Sequence, residues 1–534
     1  MASLKTTFLV LCQLFYLAIA VSPVVDLGCT KYVGVAKYDG ISQWLGMRFA
    51  SPPVGNLRFR PPIDPPCNFT TQAASQHGAA CIATGASLSS TTSEDCLYID
   101  VFAPSDATPE SKLPVYFFIQ GGGFNALSNL GFDGSGLIRA SGNNMIVVTF
   151  NYRVGVYGFM TNGPWVSPNN GLHDQRKAME WVKRHISKFG GDPNHVVLGG
   201  DSAGAASISL HMVAYGGRET NLFHAAAAES VSFGPVLTVE QSQYQYDSFS
   251  SRLNCSGPGL LSLSCLRSKT TAQLQAANVA IPYPGESAAP LYMWNPVIDG
   301  DLIRDHTYTA YAEGRFVKIP LLVGADTNDG TIFTPRNTST LVESENFIRS
   351  QFSEITEQQL QTISELYPNP NDTCPSAGCY WRQVSNAYGD MRYMCPVLYI
   401  SSAAAPHRDT FTYRYNVEDP RQIADGLGVP HTIELNAIWG AGYTNGSPPS
   451  SYAANGTNAL VTPVVQAYWT SFIRTFDPNT HRHPGAAQWE TWDAEKQNRL
   501  LFSTGGVTEM EAVDQDTRTR CEYLGSIGVA ILQR

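Results

Sequence analysis

One serine stands among small residues in HVVLGGDSAGAAS (195–207), where Gly200-Asp201-Ser202-Ala203-Gly204 has the spacing Gly-x-Ser-x-Gly. An apolar run precedes it and AGAASISLHMVAYG, a helix-forming stretch, follows, so the chain turns sharply at Ser202. Such a turn strains the serine backbone and crowds strand against helix, and glycine and alanine keep side chains out of that space. The chemistry implied is attack by a hydroxyl. It needs a base, an acid to orient the base, and donors for an oxyanion.

The chain offers candidates for each. FFIQGGGFN (117–125) ends an apolar run in Gly121-Gly122-Gly123, whose backbone N–H groups can approach a substrate unobstructed. Two acids, Asp326 and Asp329, lie in GADTNDGTIF (324–333), just after the apolar run IPLLVGAD. Four histidines lie downstream: His407, His431, His481 and His483. His407 directly precedes a strand, and the last two sit in the polar loop PNTHRHPG. His431, in LGVPHTIELNAIWG, has glycine and proline before it and an apolar run after it, which favours it as the base. The residues alone leave the acid open between Asp326 and Asp329.

Positioning these groups takes buried strands and covering helices. LPVYFFIQ (113–120), NMIVVTFNY (144–152), HVVLGG (195–200), IPLLVGAD (319–326), TFTYRYNV (410–417) and RLLFS (499–503) read as strands. GLHDQRKAMEWVKRHISKFGG puts Ala178, Val182, Ile186 and Phe189 on one helical face, places its lysines and Arg184 elsewhere, and stops at Gly190. The alternation predicts an α/β fold with a large, mostly parallel central sheet flanked by helices.

Composition bounds the function. The 534 residues are 43% hydrophobic and 15% charged, with net charge −10 and no Lys/Arg cluster, so the chain can bury a large core and nucleic acid is not an expected partner. Residues 1–20 read as a secretory signal: one lysine, an apolar stretch, then Ala18-Ile19-Ala20. That stretch is shorter than the roughly 20 residues a membrane span needs, so no stable membrane anchor is expected. No linker divides residues 21–534, which read as a single catalytic domain. Oligomeric state is not legible.

Beyond Cys12 in the signal, ten cysteines suit an oxidising compartment. Short loops favour Cys255 with Cys265 and Cys374 with Cys379, and no matched second set of ligands supports zinc. Sequons at Asn68, Asn254, Asn337, Asn371, Asn445 and Asn455 are candidate glycosylation sites, Asn445 being the poorest because Pro448 follows its serine.

The ordered motifs GMRFASPPVGNLRFRPP (46–62), EDCLYIDVFAP (94–104), QGGGF (120–124), NYRVGVYGFM (151–160), NGLHDQRKAMEWVKRHISKFGGDPNHVVLGGDSAG (170–204), GADTNDGTIF and HTIELNAIWG (431–440) span the mature chain. With them the sequence resembles the type-B carboxylesterases of the cholinesterase-like α/β-hydrolase family, in its secreted fungal branch. The resemblance implies the α/β-hydrolase fold, with Ser202 as nucleophile, His431 as base, and Asp329 rather than Asp326 as the acid. It implies oxyanion donors at the N–H groups of Gly122, Gly123 and Ala203, and a polar network behind them at Asp201, Ser230 and Glu434. It also pairs Cys81 with Cys96 and Cys395 with Cys521, leaving Cys29 with Cys67.

Three positions depart from the family pattern. Asp329 stands where glutamate is usual, Gln120 where an aromatic residue or histidine precedes the glycines, and Asp201 where glutamate is usual. Aspartate is one methylene shorter, so backbone or histidine must move in, but the acid's task of orienting and charge-stabilising imidazolium survives. The expected function is a secreted serine carboxylic-ester hydrolase acting through an acyl-enzyme on a small-molecule ester, without metal or other cofactor. An acyltransferase or esterase of a secondary metabolite pathway would use the same residues. A non-catalytic binding protein on the same fold is disfavoured by the complete triad.

Between Cys81 and Cys96 the segment IATGASLSSTTSED has no Trp or Tyr for a quaternary ammonium and no apolar face for a lipid interface. It argues against a cholinesterase and, less strongly, against an interface-activated lipase. Phe124, Phe233, Phe333 and Trp439 are candidate pocket residues by their place near the motifs.

Overall fold

The computed structural model describes residues 23–37, 39–370, 377–444, 446 and 448–534. The signal segment 1–20, Asn371, Cys374 and Asn445 lie outside them.

An eleven-stranded sheet runs through the fold. Its strands are β1 (Val35–Ala36), β2 (Ile41–Arg48), β3 (Tyr98–Pro104), β4 (Leu113–Ile119), β5 (Ile146–Phe150), β6 (Gly191–Asp201), β7 (Ala225–Glu229), β8 (Leu321–Asp326), β9 (Thr410–Asn416), β10 (Asn498–Ser503) and β11 (Val507–Ala512). Their spatial order is β11-β10-β9-β8-β7-β6-β4-β5-β3-β2-β1. From β5 to β10 every pairing is parallel. Antiparallel strands complete both edges. The parallel strands are apolar along their length because helices cover both faces.

Strand β5 enters between β3 and β4, so β4 lies inside the sheet beside β6. Register pairs Gly199 with Phe118 and Gly200 with Ile119. The glycine loop and the serine turn therefore leave the sheet side by side at its carboxyl edge, where ligands bind in open α/β sheets.

Helix α1 (Asn170–His185) buries Ala178 and Val182, and a 3-10 turn over Ile186–Phe189 carries the face on to Gly190. Its first turns also bury Asp174, which takes Arg153 in a bidentate pair. Helix α2 (Ala203–Gly217) starts at the serine turn and is buried from Ala203 to Ala214. Farther along, α3 (Trp381–Gly389), α4 (Cys395–Ala404), α5 (Val461–Thr475) and α6 (Gln515–Ile527) complete the cover used below.

Disulfides join Cys29 to Cys67, Cys81 to Cys96, Cys255 to Cys265, and Cys395 to Cys521. Cys379 is exposed, its expected partner lying outside the described residues. The sequon residues Asn68, Asn254, Asn337 and Asn455 are exposed. Among the described residues no helix is long and apolar enough to cross a membrane.

Candidate active site

Ser202 sits where β6 ends and α2 begins, with φ 55° and ψ −116°. This is the strained conformation expected of a serine thrust out of a tight turn. The turn is held by the Ser202 N–H, which donates to the Glu229 carbonyl at 2.9 Å. Close packing explains its last glycine: a Cβ on Gly204 would lie 1.8 Å from the Ile119 carbonyl oxygen. Any side chain there would push α2 off β4.

The glycine loop closes over this turn. Gly121 donates its N–H to Asp201 Oδ1 at 3.1 Å. The Gly122 carbonyl accepts from the N–H groups of Asn125 and Ala126, both at 3.0 Å, and Asn125 Nδ2 holds the Gly123 carbonyl at 2.7 Å. The N–H groups of Gly122, Gly123 and Ala203 find no acceptor among the described residues. Ala203 also opens α2, whose dipole favours negative charge there.

The acid turn follows β8, and the histidine loop is stitched to it. Asn328 donates its N–H to the Val429 carbonyl and accepts the Val429 N–H at Oδ1, each at 2.9 Å. Thr331 Oγ1 donates to the Leu427 carbonyl at 3.0 Å. These bonds bring His431 Nδ1 to 2.5 Å from Asp329 Oδ1. The shorter acid thus reaches the ring because the backbones of the two loops are tied together. Ser230 Oγ donates to Asp329 Oδ1 at 3.1 Å and the Asp326 N–H to Oδ2 at 3.0 Å, so the carboxylate has no freedom to turn away.

Asp326 does not face the ring. Its Oδ2 takes the Thr432 N–H at 2.7 Å, fixing the residue after His431, which has φ 65°. Burial pushes the Asp326 pKa well up, the neighbouring Glu434 carboxylate adding to the rise, and burial likewise raises Glu434 to about 7. Burial likewise raises Asp201 to about 6, with nearby His431 opposing the rise. Glu229, buried beneath the turn against Trp469, is also shifted upward by burial.

His431 Nε2 is buried and has no hydrogen-bond partner, and no hydrogen bond joins it to Ser202. Two rings hold the imidazole: Tyr393, centroid 4.4 Å away, and Phe333, at 5.0 Å. A cleft of about 440 Å³ is bordered by Gly121, Asp201, His431, Leu127 and Ile332. A larger cavity of about 610 Å³ opens on the other side of the acid turn, lined by neither Ser202 nor His431. Its arginines are taken by Glu511 and Asp390.

Of the residues expected near a pocket, Phe333 is part-exposed and touches His431. The others are fully buried. Phe124 packs on Phe159 and Phe233 on Tyr308. The pocket expected at Trp439 is corrected: its ring lies 4.8 Å from Phe118 and 4.9 Å from Phe132 within the core. Tyr393 and Tyr292, whose ring would meet a Cβ on Gly123 at 2.3 Å, carried no local signal in the sequence because distant segments bring them in. Among the described residues no group of His, Cys, Asp and Glu could hold a metal ion.

Known proteins share this arrangement of chain. Secreted lipase 4 of Gibberella zeae is 29% identical over 494 residues, spanning 88% of this chain and 86% of its own. Lipase 1 of Geotrichum candidum is 27% identical over 559 residues, spanning 94% and 95%. The crystal structure of Aspergillus niger EstA superposes with a TM-score of 0.92 at 41% identity, over 96% of this chain and 99% of its own. The profile of the carboxylesterase family matches residues 23–523. The chain therefore belongs to the carboxylesterase family and has its α/β-hydrolase fold.

Proposed function

We propose that the protein is a secreted serine hydrolase of small-molecule carboxylic esters, with Ser202, His431 and Asp329 as its triad. The observation that carries this is the His431–Asp329 contact at 2.5 Å, which leaves Nε2 free at a cleft that His431 shares with Gly121 and with Asp201, the residue before the strained serine. Secretion is supported by relatives named secreted lipases and by four disulfides.

The reaction is two acyl transfers. Nε2 takes the Ser202 proton as Oγ attacks the ester carbonyl, and the tetrahedral oxyanion forms among the N–H groups of Gly122, Gly123 and Ala203. Imidazolium, oriented and charge-stabilised by Asp329, returns the proton to the departing alcohol. Water repeats the sequence on the acyl-enzyme, freeing the acid and regenerating Ser202. The missing Ser202–His431 hydrogen bond is no obstacle, since such bonds commonly tighten only with substrate bound.

Labelling by a fluorescent organophosphonate, with Ser202→Ala as control, tests the assignment. Wild-type protein takes one label and the variant none. An unlabelled wild-type chain would sink the triad, and hydrolysis of a p-nitrophenyl ester in water separates a hydrolase from an obligate acyltransferase.

A further inference from the structure

Two arginines lie inside the protein beside this site, and among the described residues neither forms an ion pair with a side-chain carboxylate. Arg392 and Arg534 are 2% and 0% exposed. The comparably buried Arg58, Arg153 and Arg499 hold Glu94, Asp174 and Glu511, and Arg176, which lacks an ion pair, stacks on Tyr215 near Glu180. Among the described residues Arg392 makes one side-chain hydrogen bond, from Nε to Ser232 Oγ at 2.9 Å. Its terminal nitrogens have no acceptor, and its guanidinium carbon lies 5.7 Å and 5.9 Å from the ring centroids of Tyr292 and Tyr388. Arg534 donates to the Ser232 carbonyl at 2.6 Å and to Asn295 Oδ1 at 2.8 Å, lies 4.7 Å over the Phe124 ring, and leaves Nε unpartnered.

The pair adjoins the reacting groups on three sides. Ser232, held by both guanidinium groups, donates its N–H to the Ser202 carbonyl at 3.3 Å. Tyr292, beside Arg392, packs against Gly123. Tyr393, the next residue after Arg392, packs on His431. Burial and the neighbouring Arg392 charge drive the Arg534 pKa down.

Two like charges withdrawn from water at close quarters are costly, and aromatic faces and a carbonyl offset only part of that cost. A carboxylate would supply acceptors for the terminal nitrogens of Arg392 and the Nε of Arg534, because guanidinium matches its geometry.

We propose that Arg392 and Arg534 form an anion subsite on the acyl side of the active site, and that the preferred substrate is a monoester of a dicarboxylic acid. The proposal rests on Ser202 as nucleophile. Attack by Ser202 gives an acyl-enzyme whose second carboxylate meets the two guanidinium groups. The alcohol leaves with the ester oxygen, and water then releases the dicarboxylate.

The test compares mono-p-nitrophenyl glutarate with its methyl-capped form, methyl p-nitrophenyl glutarate, which is similar in size but uncharged. Wild-type kcat/KM is expected to be at least about 10-fold higher for the anionic ester, the scale of one charge-assisted hydrogen bond. Arg392→Gln lowers the ratio of anionic to capped ester by about 10-fold or more, and Arg392→Lys retains part of it. A wild-type ratio of one or less overturns the subsite. Should Arg392→Gln fail to fold, the wild-type ratio decides together with inhibition: free glutarate competes against the capped ester, and absence of competition counts against the proposal. Hydrolysis of neither ester, with no organophosphonate labelling, instead removes the triad on which the proposal depends.

Discussion

Asp329 accepts His431 Nδ1 at 2.5 Å, while Asp326, three residues earlier on the same turn, points elsewhere and holds the Thr432 N–H at 2.7 Å. The two acids therefore have separable tasks. Asp329→Asn removes the charge that stabilises imidazolium and favours the wrong tautomer, so kcat is expected to fall about 10³- to 10⁴-fold. Asp326→Asn keeps an oxygen for Thr432 and gains an NH₂ that can donate to Glu434, so kcat is expected to fall less than about 10-fold. Steady-state kinetics on a p-nitrophenyl ester would reverse the assignment if Asp326→Asn proved the more damaging.

The glycine loop gives a second prediction. Gly123 has φ 60°, and a Cβ there would meet the Tyr292 ring at 2.3 Å. Gly123→Ala must move the loop or the ring, misplacing at least one N–H donor, and kcat is expected to fall about 10²- to 10³-fold. Because the ring is one cause, Gly123→Ala/Tyr292→Gly recovers part of the loss. No recovery would mean that φ alone, not the clash, dictates glycine.

Much of this site is legible in the sequence because its parts are local. The strand expected over 113–120 is observed at Leu113–Ile119, and the serine turn follows from residues within one short stretch. Periodicity also places the buried face of α1 correctly, but it misses Asp174, a polar residue carried inward by Arg153. What joins distant segments is not legible. Nothing in GDMRYMCP marks Arg392 as buried or Tyr393 as the neighbour of His431, since a charged residue is ordinarily solvated and an aromatic one ordinarily core. Trp439 fails in the opposite direction: near a motif in sequence, it turns into the core.

The Cys395–Cys521 disulfide ties α4 to α6 across 126 residues of sequence. Closing so long a loop restricts the unfolded chain strongly, so Cys395→Ala/Cys521→Ala is expected to lose about 4–5 kcal/mol of stability. Removing Cys255 and Cys265, separated by 10 residues, should cost less, on the order of 3 kcal/mol. Denaturant unfolding of the two double variants gives the order, and equal losses would point to strain or unfolded-state structure instead.

Burial of Asp201 predicts a pH dependence that can be isolated from the rest of the protein. Its carboxyl is raised from 3.8 to about 6, chiefly by desolvation. Between those values the folded chain holds a proton that the unfolded chain has released, so this residue lowers stability progressively as pH rises from about 4 to 6 and has no further effect above that. Histidines such as His185, lowered to about 4 by burial, act in the opposite direction over the same range. The overall pH profile therefore mixes the two, whereas a difference does not. Asp201→Asn keeps an acceptor for the Gly121 N–H but cannot ionise, so the titrations of groups that do not feel the Asp201 charge, His185 among them, cancel between variant and wild type. The stability of the variant relative to wild type is expected to climb by roughly 2–3 kcal/mol from pH 4 to 6 and then level off. A difference that stays flat across that range would mean that Asp201 is ionised in the folded protein at pH 4.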